Sequence, residues 1–263
     1  MDKNIPVLRE KKARSKGSKR LLAVLFLFFI ILFIVLFFHS SLSKITNIEI
    51  SGTTFTEDAD ILQQSELAEG DQFIPVQAAS LAARIEQLDT IAEAEVRKTF
   101  PGKIEIVVKE HPHVANEQLL NGTWTALLAN GYAVADLAIQ SNPAYMDKPV
   151  LSGWHGEPEL KRELTATLAE IPEELLLDVS EIVPNLPSAS YPDRILLYTR
   201  SGYEVITTIG KLQDKLPYLT GVVHNLKEND TDKARITMLE AITSDALDTE
   251  PREEEAVEES EQE

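Results

Sequence analysis

Residues 21–38 read LLAVLFLFFIILFIVLFF, eighteen positions without one polar side chain. No other feature limits so strongly what this chain can fold into. Eighteen helical residues rise about 27 Å, close to the ~30 Å thickness of a bilayer's hydrocarbon layer. A soluble helix needs one apolar stripe rather than an apolar circumference, so the run is expected to meet lipid. It is longer than the roughly 7–15 apolar residues of a signal peptide. No A-x-A follows it, and Ser41-Leu42-Ser43 is the nearest small-x-small step. The run therefore reads as a retained transmembrane helix.

Its flanks give the direction. Residues 1–20 carry Lys3, Arg9, Lys11, Lys12, Arg14, Lys16, Lys19 and Arg20 against Asp2 and Glu10. A basic arm of this kind stays in the cytoplasm, which puts everything after about His39 outside and makes the chain single-pass type II. The whole chain has a formal net charge of −18 over 263 residues, and its acid peaks in the closing DTEPREEEAVEESEQE. Residues 244–263 are expected to be a disordered acidic tail, having almost nothing to bury. Such acidity argues against a nucleic-acid partner. The chain holds no cysteine. Its external part must then rest on its own core, and thiolate nucleophiles and thiolate metal ligands are excluded.

Periodicity divides that external part into two units. In ITNIEISG, Ile48 and Ile50 alternate with Asn47 and Glu49 before a glycine, which predicts a strand. Thr56, Glu57 and Asp58 mark a helix start, with the helix running to about Leu67 and stopped by Gly70. PVQAASLAARIEQL predicts a second helix, with Pro75 in its first turn and Ala78, Leu81, Ile85 and Leu88 on one face. Two strands follow around a Pro101-Gly102 turn: Ala92, Ala94 and Val96 share a face of the first, Ile104, Ile106 and Val108 a face of the second. The stretch from Lys98 to Ala115 reads as a strand that closes this unit, followed by an exit turn.

That strand–helix–helix–strand–strand order beside one anchor resembles the POTRA domain of the bacterial cell division family DivIB/FtsQ. The likeness is carried by ITNIEISG, by IAEAEVRKTFPGKIEIVVKEHPHVA and by the basic arm and anchor upstream. Pro101, Ile104, Ile106, Val108, Glu110, Pro112 and Ala115 follow the family's P-x-x-(I/L)-x-I-x-V-x-E-x-x-P-x-A habit with a small departure in spacing.

Residues 116–243 read as a second unit, and the fold class is α+β with residues 44–115 as the POTRA-like part. TWTALLANGYAVAD predicts a hairpin about Asn130-Gly131. EPELKRELTATLAEI puts Leu160, Leu164, Leu168 and Ile171 on one helical face. DRILLYT and YEVITTI flank a second hairpin at Arg200-Ser201-Gly202. KLQDKLPYLTGVVHNL is amphipathic, with Pro217 bending the helix or starting a new one. KARITMLEA closes the unit as a short strand. This half is similar to the larger external domain of the same family.

Sites for chemistry are few. His111 and His113 flank Pro112 beside Glu110, but a zinc site needs three or four ligands, and His39, His155 and His224 lie in unrelated segments. Ser41-Leu42-Ser43-Lys44 fits S-x-x-K, yet S-D-N and K-T-G are missing and the match lies at the membrane exit. Glu93 and Glu95 read as a solvated strand face, and Trp124 and Trp154 as core or rim. No cofactor or metal is expected.

What the resemblance implies is a non-enzymatic scaffold of the division complex, enriched at the septum and supporting septal wall synthesis. Its partners would be single-pass division proteins of the FtsL and DivIC/FtsB types, with a septal penicillin-binding protein as a further candidate, and membrane lipid through the anchor. The partner contact would be the last strand, Arg235, Ile236, Thr237, Met238, Leu239 and Glu240, where the FtsB-type partner of the family adds a strand of its own. A final strand before a disordered tail is expected at a sheet edge, with free N–H and C=O groups. The rival readings are a membrane-anchored cell-wall hydrolase or transpeptidase, and a POTRA-bearing secretion or assembly factor. The first lacks a nucleophile or metal set; the second would need repeated POTRA units or a barrel of amphipathic strands.

Overall fold

In the computed structural model the apolar run lies within helix α1 (Lys16–His39), whose large side chains from Leu21 to Leu36 are exposed. The structure describes residues 16–119, 122–135, 145, 147–185, 190–231 and 233–247. Residues 1–15 of the expected arm and the expected tail from 248 onward lie outside the described residues. The chain divides into two compact units. The first takes the residues up to Thr53, Glu57–Leu88 and Glu93–Val108. The second takes Thr54–Thr56, Asp89–Ala92 and the residues from Lys109 on.

In the first unit, strand β1 (Asn47–Ser51) runs parallel to β3 (Lys103–Glu110), with Ile48 opposite Ile104 and Ile50 opposite Ile106. Strand β2 (Ile91–Thr99) completes a sheet of order β1-β3-β2. Helices α2 (Asp58–Ser65) and α3 (Ala78–Ile85) supply Ile61, Leu81 and Ile85, fully buried like Ile104 and Ile106. The predicted βααββ order is thus what folds. Helix α2 is shorter than expected: Glu66 turns left-handed at φ 55°, and its N–H takes the Gln63 and Leu62 carbonyls. That closes the helix four residues ahead of Gly70. Gly52 at the end of β1 admits no other residue. Its φ is +92°, and a Cβ would stand 2.0 Å from the Val108 carbonyl oxygen.

The second unit is one nine-stranded sheet among the described residues, of order β12-β11-β10-β9-β8-β7-β4-β5-β6. Strand β4 (His113–Gln118) pairs antiparallel with β5 (Trp124–Leu128), which pairs with β6 (Ala133–Ala135) across the Asn130-Gly131 turn. Strands β7 (Val150–Leu151) and β8 (Val179–Pro184) run parallel. Strands β9 (Arg194–Thr199) and β10 (Glu204–Thr208) form the hairpin expected at Arg200-Ser201-Gly202. Helices α4 (Pro158–Glu170) and α5 (Glu173–Leu176) lie between β7 and β8 in the chain. Helix α6 (Ile209–Lys215) is followed by a 3-10 turn at Leu216–Tyr218 that holds Pro217, and α7 (Leu219–Glu228) starts afresh there. The core joins Leu164 and Leu168 to Leu197, Val205 and Ile236.

Two boundaries differ from expectation. Strand β4 starts at His113 and runs across the 115/116 division, so the expected exit turn is confined to His111 and Pro112. Pro112 has no N–H for a ladder, and pairing resumes at the next residue. At the other end, strands β11 (Ala234–Met238) and β12 (Ile242–Ala246) form an antiparallel pair, so residues 244–246 belong to the sheet and not to a tail.

Candidate functional site at the sheet edge

The residues expected to meet a partner all lie on β11 or just after it. Ala234, Ile236 and Met238 are buried, Arg235 is exposed and Thr237 half-buried, so one face of the strand is turned into the core. The placement of the strand is different. Strand β11 pairs on one side with β10, Glu204 opposite Arg235 and Ile206 opposite Thr237, and on the other with β12. It is therefore an interior strand, and the sheet ends one strand later. Three residues, Leu239 to Ala241, turn the chain back, and β12 takes the main-chain groups that would have been free.

The charged members of the expected set are engaged within the unit. The Arg235 guanidinium donates to Glu204 Oε2 from Nη2 at 2.6 Å and from Nε at 2.9 Å. Lys211 of α6 pairs with Glu240, and that hydrogen bond, with the charges of Lys211 and Lys215, holds the Glu240 carboxyl below its ordinary range. Thr207 donates through Oγ1 to the Met238 carbonyl at 2.9 Å, which ties β10 to the end of β11.

The edge itself can be read from one bond. Leu247 N–H donates to the Lys233 carbonyl at 3.2 Å, which makes 247 and 233 a hydrogen-bonded pair of the antiparallel ladder. Such pairs alternate along the strand, so Thr243 and Asp245 direct their main-chain groups at β11. Ser244 and Ala246 direct theirs outward, on a strand whose residues from Thr243 to Ala246 are all exposed. Beside this edge lies a groove of about 270 Å³ between α7 and β12. Val222, Asn225, Leu226 and Asn229 line one wall, and Ile242, Thr243 and Ser244 the other. Among the described residues the edge thus offers unpaired donors and acceptors next to a partly apolar slot. The signal for β12 in the sequence is slight: a β-branched Ile242-Thr243 step after a short turn.

The other candidates resolve as structural parts. Glu110 accepts three successive main-chain N–H groups, from Thr54 and Phe55 at 3.0 Å and from Thr56 at 2.8 Å. His113 turns Nε2 onto the Ala115 carbonyl and Asn116 Oδ1, both at 2.9 Å, and its ring packs edge-on against Phe55 and Tyr145. Among the described residues no group of three or more His, Cys, Asp or Glu side chains is placed to hold a metal ion. In the S-x-x-K stretch the buried serine is Ser43, whose Oγ donates to the Phe38 and Ser40 carbonyls at the end of α1. Glu95 pairs with its strand neighbour Arg97 at 2.7 Å. Trp154 is buried and donates from Nε1 to the Ile182 carbonyl at 3.0 Å, and Trp124 is half-buried at the start of β5. A buried pair that the sequence does not announce joins Glu117 of β4 to Lys161 of α4, at 3.1 Å to Oε1 and 3.0 Å to Oε2.

The chain is similar to known proteins along both units. A family profile described as "POTRA domain, FtsQ-type" matches residues 43–111, and one described as "Cell division protein FtsQ/DivIB, C-terminal" matches residues 118–239. The second match stops short of β12. A cell division protein DivIB of Paenibacillus polymyxa (strain E681) is 37% identical over 237 residues, 90% of this chain and 90% of its own. Another, from Geobacillus kaustophilus (strain HTA426), is 31% identical over 229 residues, covering 87% of this chain and 85% of the relative. The DivIB of Bacillus subtilis (strain 168) is 24% identical over 244 residues, 92% and 89% of the two chains. Among solved structures, the major extracytoplasmic domain of the trans isomer of DivIB from Geobacillus stearothermophilus is 31% identical. It covers 46% of this chain and 98% of its own, with a TM-score of 0.36. A POTRA unit and a C-terminal division unit, matched in that order, and a DivIB relative at 37% identity over 90% of the chain place the chain in the FtsQ/DivIB family of bacterial cell division proteins.

Proposed function

We propose that this division protein acts as a non-enzymatic scaffold that assembles other single-pass division proteins, of the FtsL and DivIC/FtsB types, at the septum. The basic arm stays in the cytoplasm and both folded units lie outside, where the assembly positions the septal wall synthases, a penicillin-binding protein among them. The partner contact is strand addition to the outer edge of β12. What supports this is the outward-facing main chain of Ser244 and Ala246 beside the groove under α7. Main-chain hydrogen bonds give such a contact its affinity, and side chains entering the groove give it selectivity. Residues 235–240 then act from behind, since β11 carries the edge strand.

The test is Ser244→Pro. It deletes an outward N–H and obstructs a docking strand, and proline is tolerated at an edge where the N–H faces away from the sheet. The variant is expected to reach normal levels and keep its fold, yet to lose co-purification with the DivIC/FtsB-type partner from solubilised membranes. Binding equal to the parent's would place the contact elsewhere. The orientation has its own check: protease added to wall-stripped cells should digest the chain beyond about Ser43 and spare the arm.

A further inference from the structure

We propose that the POTRA unit also touches the membrane surface, through an apolar tip made of Leu42, Ile74 and Phe100. The three side chains are 50%, 50% and 62% exposed, unusual for large apolar residues in a unit whose core is otherwise closed. They come from three separate stretches of chain: Leu42 lies three residues past α1, Ile74 follows Gln72 and Phe73, and Phe100 is a ring neighbour of Phe73.

Hydrogen bonds tie the residues beside them to the end of the anchor. A helix leaves its last carbonyls without partners, and here the folded unit supplies them. The Phe38 carbonyl accepts from Ser43 Oγ at 3.0 Å and from Gln72 Nε2 at 3.3 Å. The Ser43 carbonyl accepts from the Phe73 N–H at 2.8 Å, and Lys44 and Gln72 form an antiparallel bridge. Phe38 is the last residue of the apolar run, so these bonds lie where hydrocarbon gives way to headgroups. The headgroup zone is about 5–7 Å deep on each side. Ile74 is two residues from Gln72, at most about 7 Å along the chain. The Phe100 ring centroid is 6.4 Å from that of Phe73.

The tip is also braced. Lys98 donates from Nζ to the Ile74 carbonyl at 3.2 Å and to the Val76 carbonyl at 2.7 Å, and the ammonium lies 4.7 Å over the Phe73 ring. The Lys98 ammonium is thus spent on the carbonyls of the loop. Leu42, Ile74 and Phe100 face out, and their occupant is the interfacial layer of the bilayer that holds α1. Aromatic and aliphatic side chains favour this layer, where they leave water without crossing the hydrocarbon. The consequence is that the first unit has a fixed tilt on the membrane instead of swinging on a linker.

This inference rests on α1 being a membrane anchor, and the experiment separates the two. Because the chain has no cysteine, single-cysteine variants of the full protein give unique labels. Bimane is attached at Ile74→Cys, Phe100→Cys, Val35→Cys and, in the other unit, Leu177→Cys. Each protein is placed in phosphatidylethanolamine–phosphatidylglycerol vesicles that carry nitroxide lipids. Val35→Cys should be quenched by nitroxides deep in the acyl chains, and 74 and 100 by nitroxides near the headgroups. Leu177→Cys should be several-fold less affected. Quenching at 35 but only the Leu177 level at 74 and 100 overturns the inference and leaves the anchor standing. No quenching at 35 overturns both. A label could insert by itself, so the probe is also attached at Thr99→Cys with and without Ile74→Ser and Phe100→Ser. Its quenching should fall several-fold when the tip is made polar, and unchanged quenching counts against the tip.

Discussion

Strands β4 and β12 belong to one sheet but are held in different ways. Strand β4 has β5 on one side and β7 on the other, and its buried residues include two polar ones. Asn116 donates to the Tyr145 carbonyl at 2.7 Å, and Glu117 meets Lys161. Among the described residues strand β12 has β11 on one side only, and it exposes four of its five residues. The first strand is fixed by side chains that would be costly to bury alone, the second mainly by its ladder. A strand fixed by buried charge is committed to the fold. One held by main chain alone leaves its outer face free for the same kind of bond with another protein.

The comparison breaks most easily at Lys161. Lys161→Ala would leave the Glu117 carboxylate buried without its cation, a loss that costs about 3–5 kcal/mol for buried pairs. The Lys161 side chain is 20% exposed, so the lower end, about 3 kcal/mol, is expected. Both tryptophans lie in the second unit, so urea unfolding followed by their fluorescence reads this unit alone. A loss below about 1 kcal/mol would mean that water replaces the cation and that β4 is not fixed as argued. Replacing both partners, as Glu117→Leu with Lys161→Met, should recover most of the loss, since the penalty lies in the unpaired charge.

A smaller effect tests the parity of β12. Thr243→Pro removes an N–H aimed at β11, at a net cost of about 1 kcal/mol, whereas Ser244→Pro removes one aimed at solvent and should cost less than half of that. Amide exchange at Thr237, the ladder partner of Thr243, reports the difference. It should accelerate in the first variant and stay at the parent rate in the second. Equal acceleration in both would mean that the ladder runs in the other phase, with Ser244 facing inward.

What the sequence makes legible follows from the range over which each signal acts. The apolar run, the Ile104-Ile106-Val108 alternation and the turns at Asn130-Gly131 and Gly202 are local patterns, and each one stands in the fold. The interior position of β11 comes from a hairpin whose second arm gives a weak signal. It depends on Ile242 to Ala246, a stretch with one large apolar residue whose Thr-Ser-Asp composition merges into an acidic end. The strand at Val179–Pro184 follows the apolar Leu175–Leu177 step so closely that neither period is clear. The Glu117–Lys161 pair joins residues 44 positions apart, in a chain so acidic that no single carboxylate stands out. In the same way, Glu110 looks like a ligand beside two histidines until the N–H groups of Thr54 to Thr56 are brought to it. The missed parts are of two kinds: contacts made by long-range pairing, and β12, a local hairpin arm too poor in apolar residues to announce itself.

The smallest effect concerns the ion pair behind β12. Lys211 hydrogen-bonds Glu240 and lowers its carboxyl from the ordinary value of 4.5; Lys148 does the same to Glu173. A carboxyl whose folded pKa is depressed adds stability above its unfolded pKa, and that stability is lost as pH falls through the folded value. The loss should therefore begin below about pH 4.5 and leave neutral behaviour unchanged. Both carboxylates are largely exposed, Glu240 at 77% and Glu173 at 63%, so solvent screens the pairs and the slope will be shallow. Glu240→Gln should flatten that acid slope a little, and at pH 7 it should leave Thr237 exchange at the parent rate. If it instead opened the β11–β12 pair at neutral pH, the ladder would not suffice to hold the edge. Strand β12 would then depend on a side-chain pair as β4 does, and the contrast between the two strands would be lost.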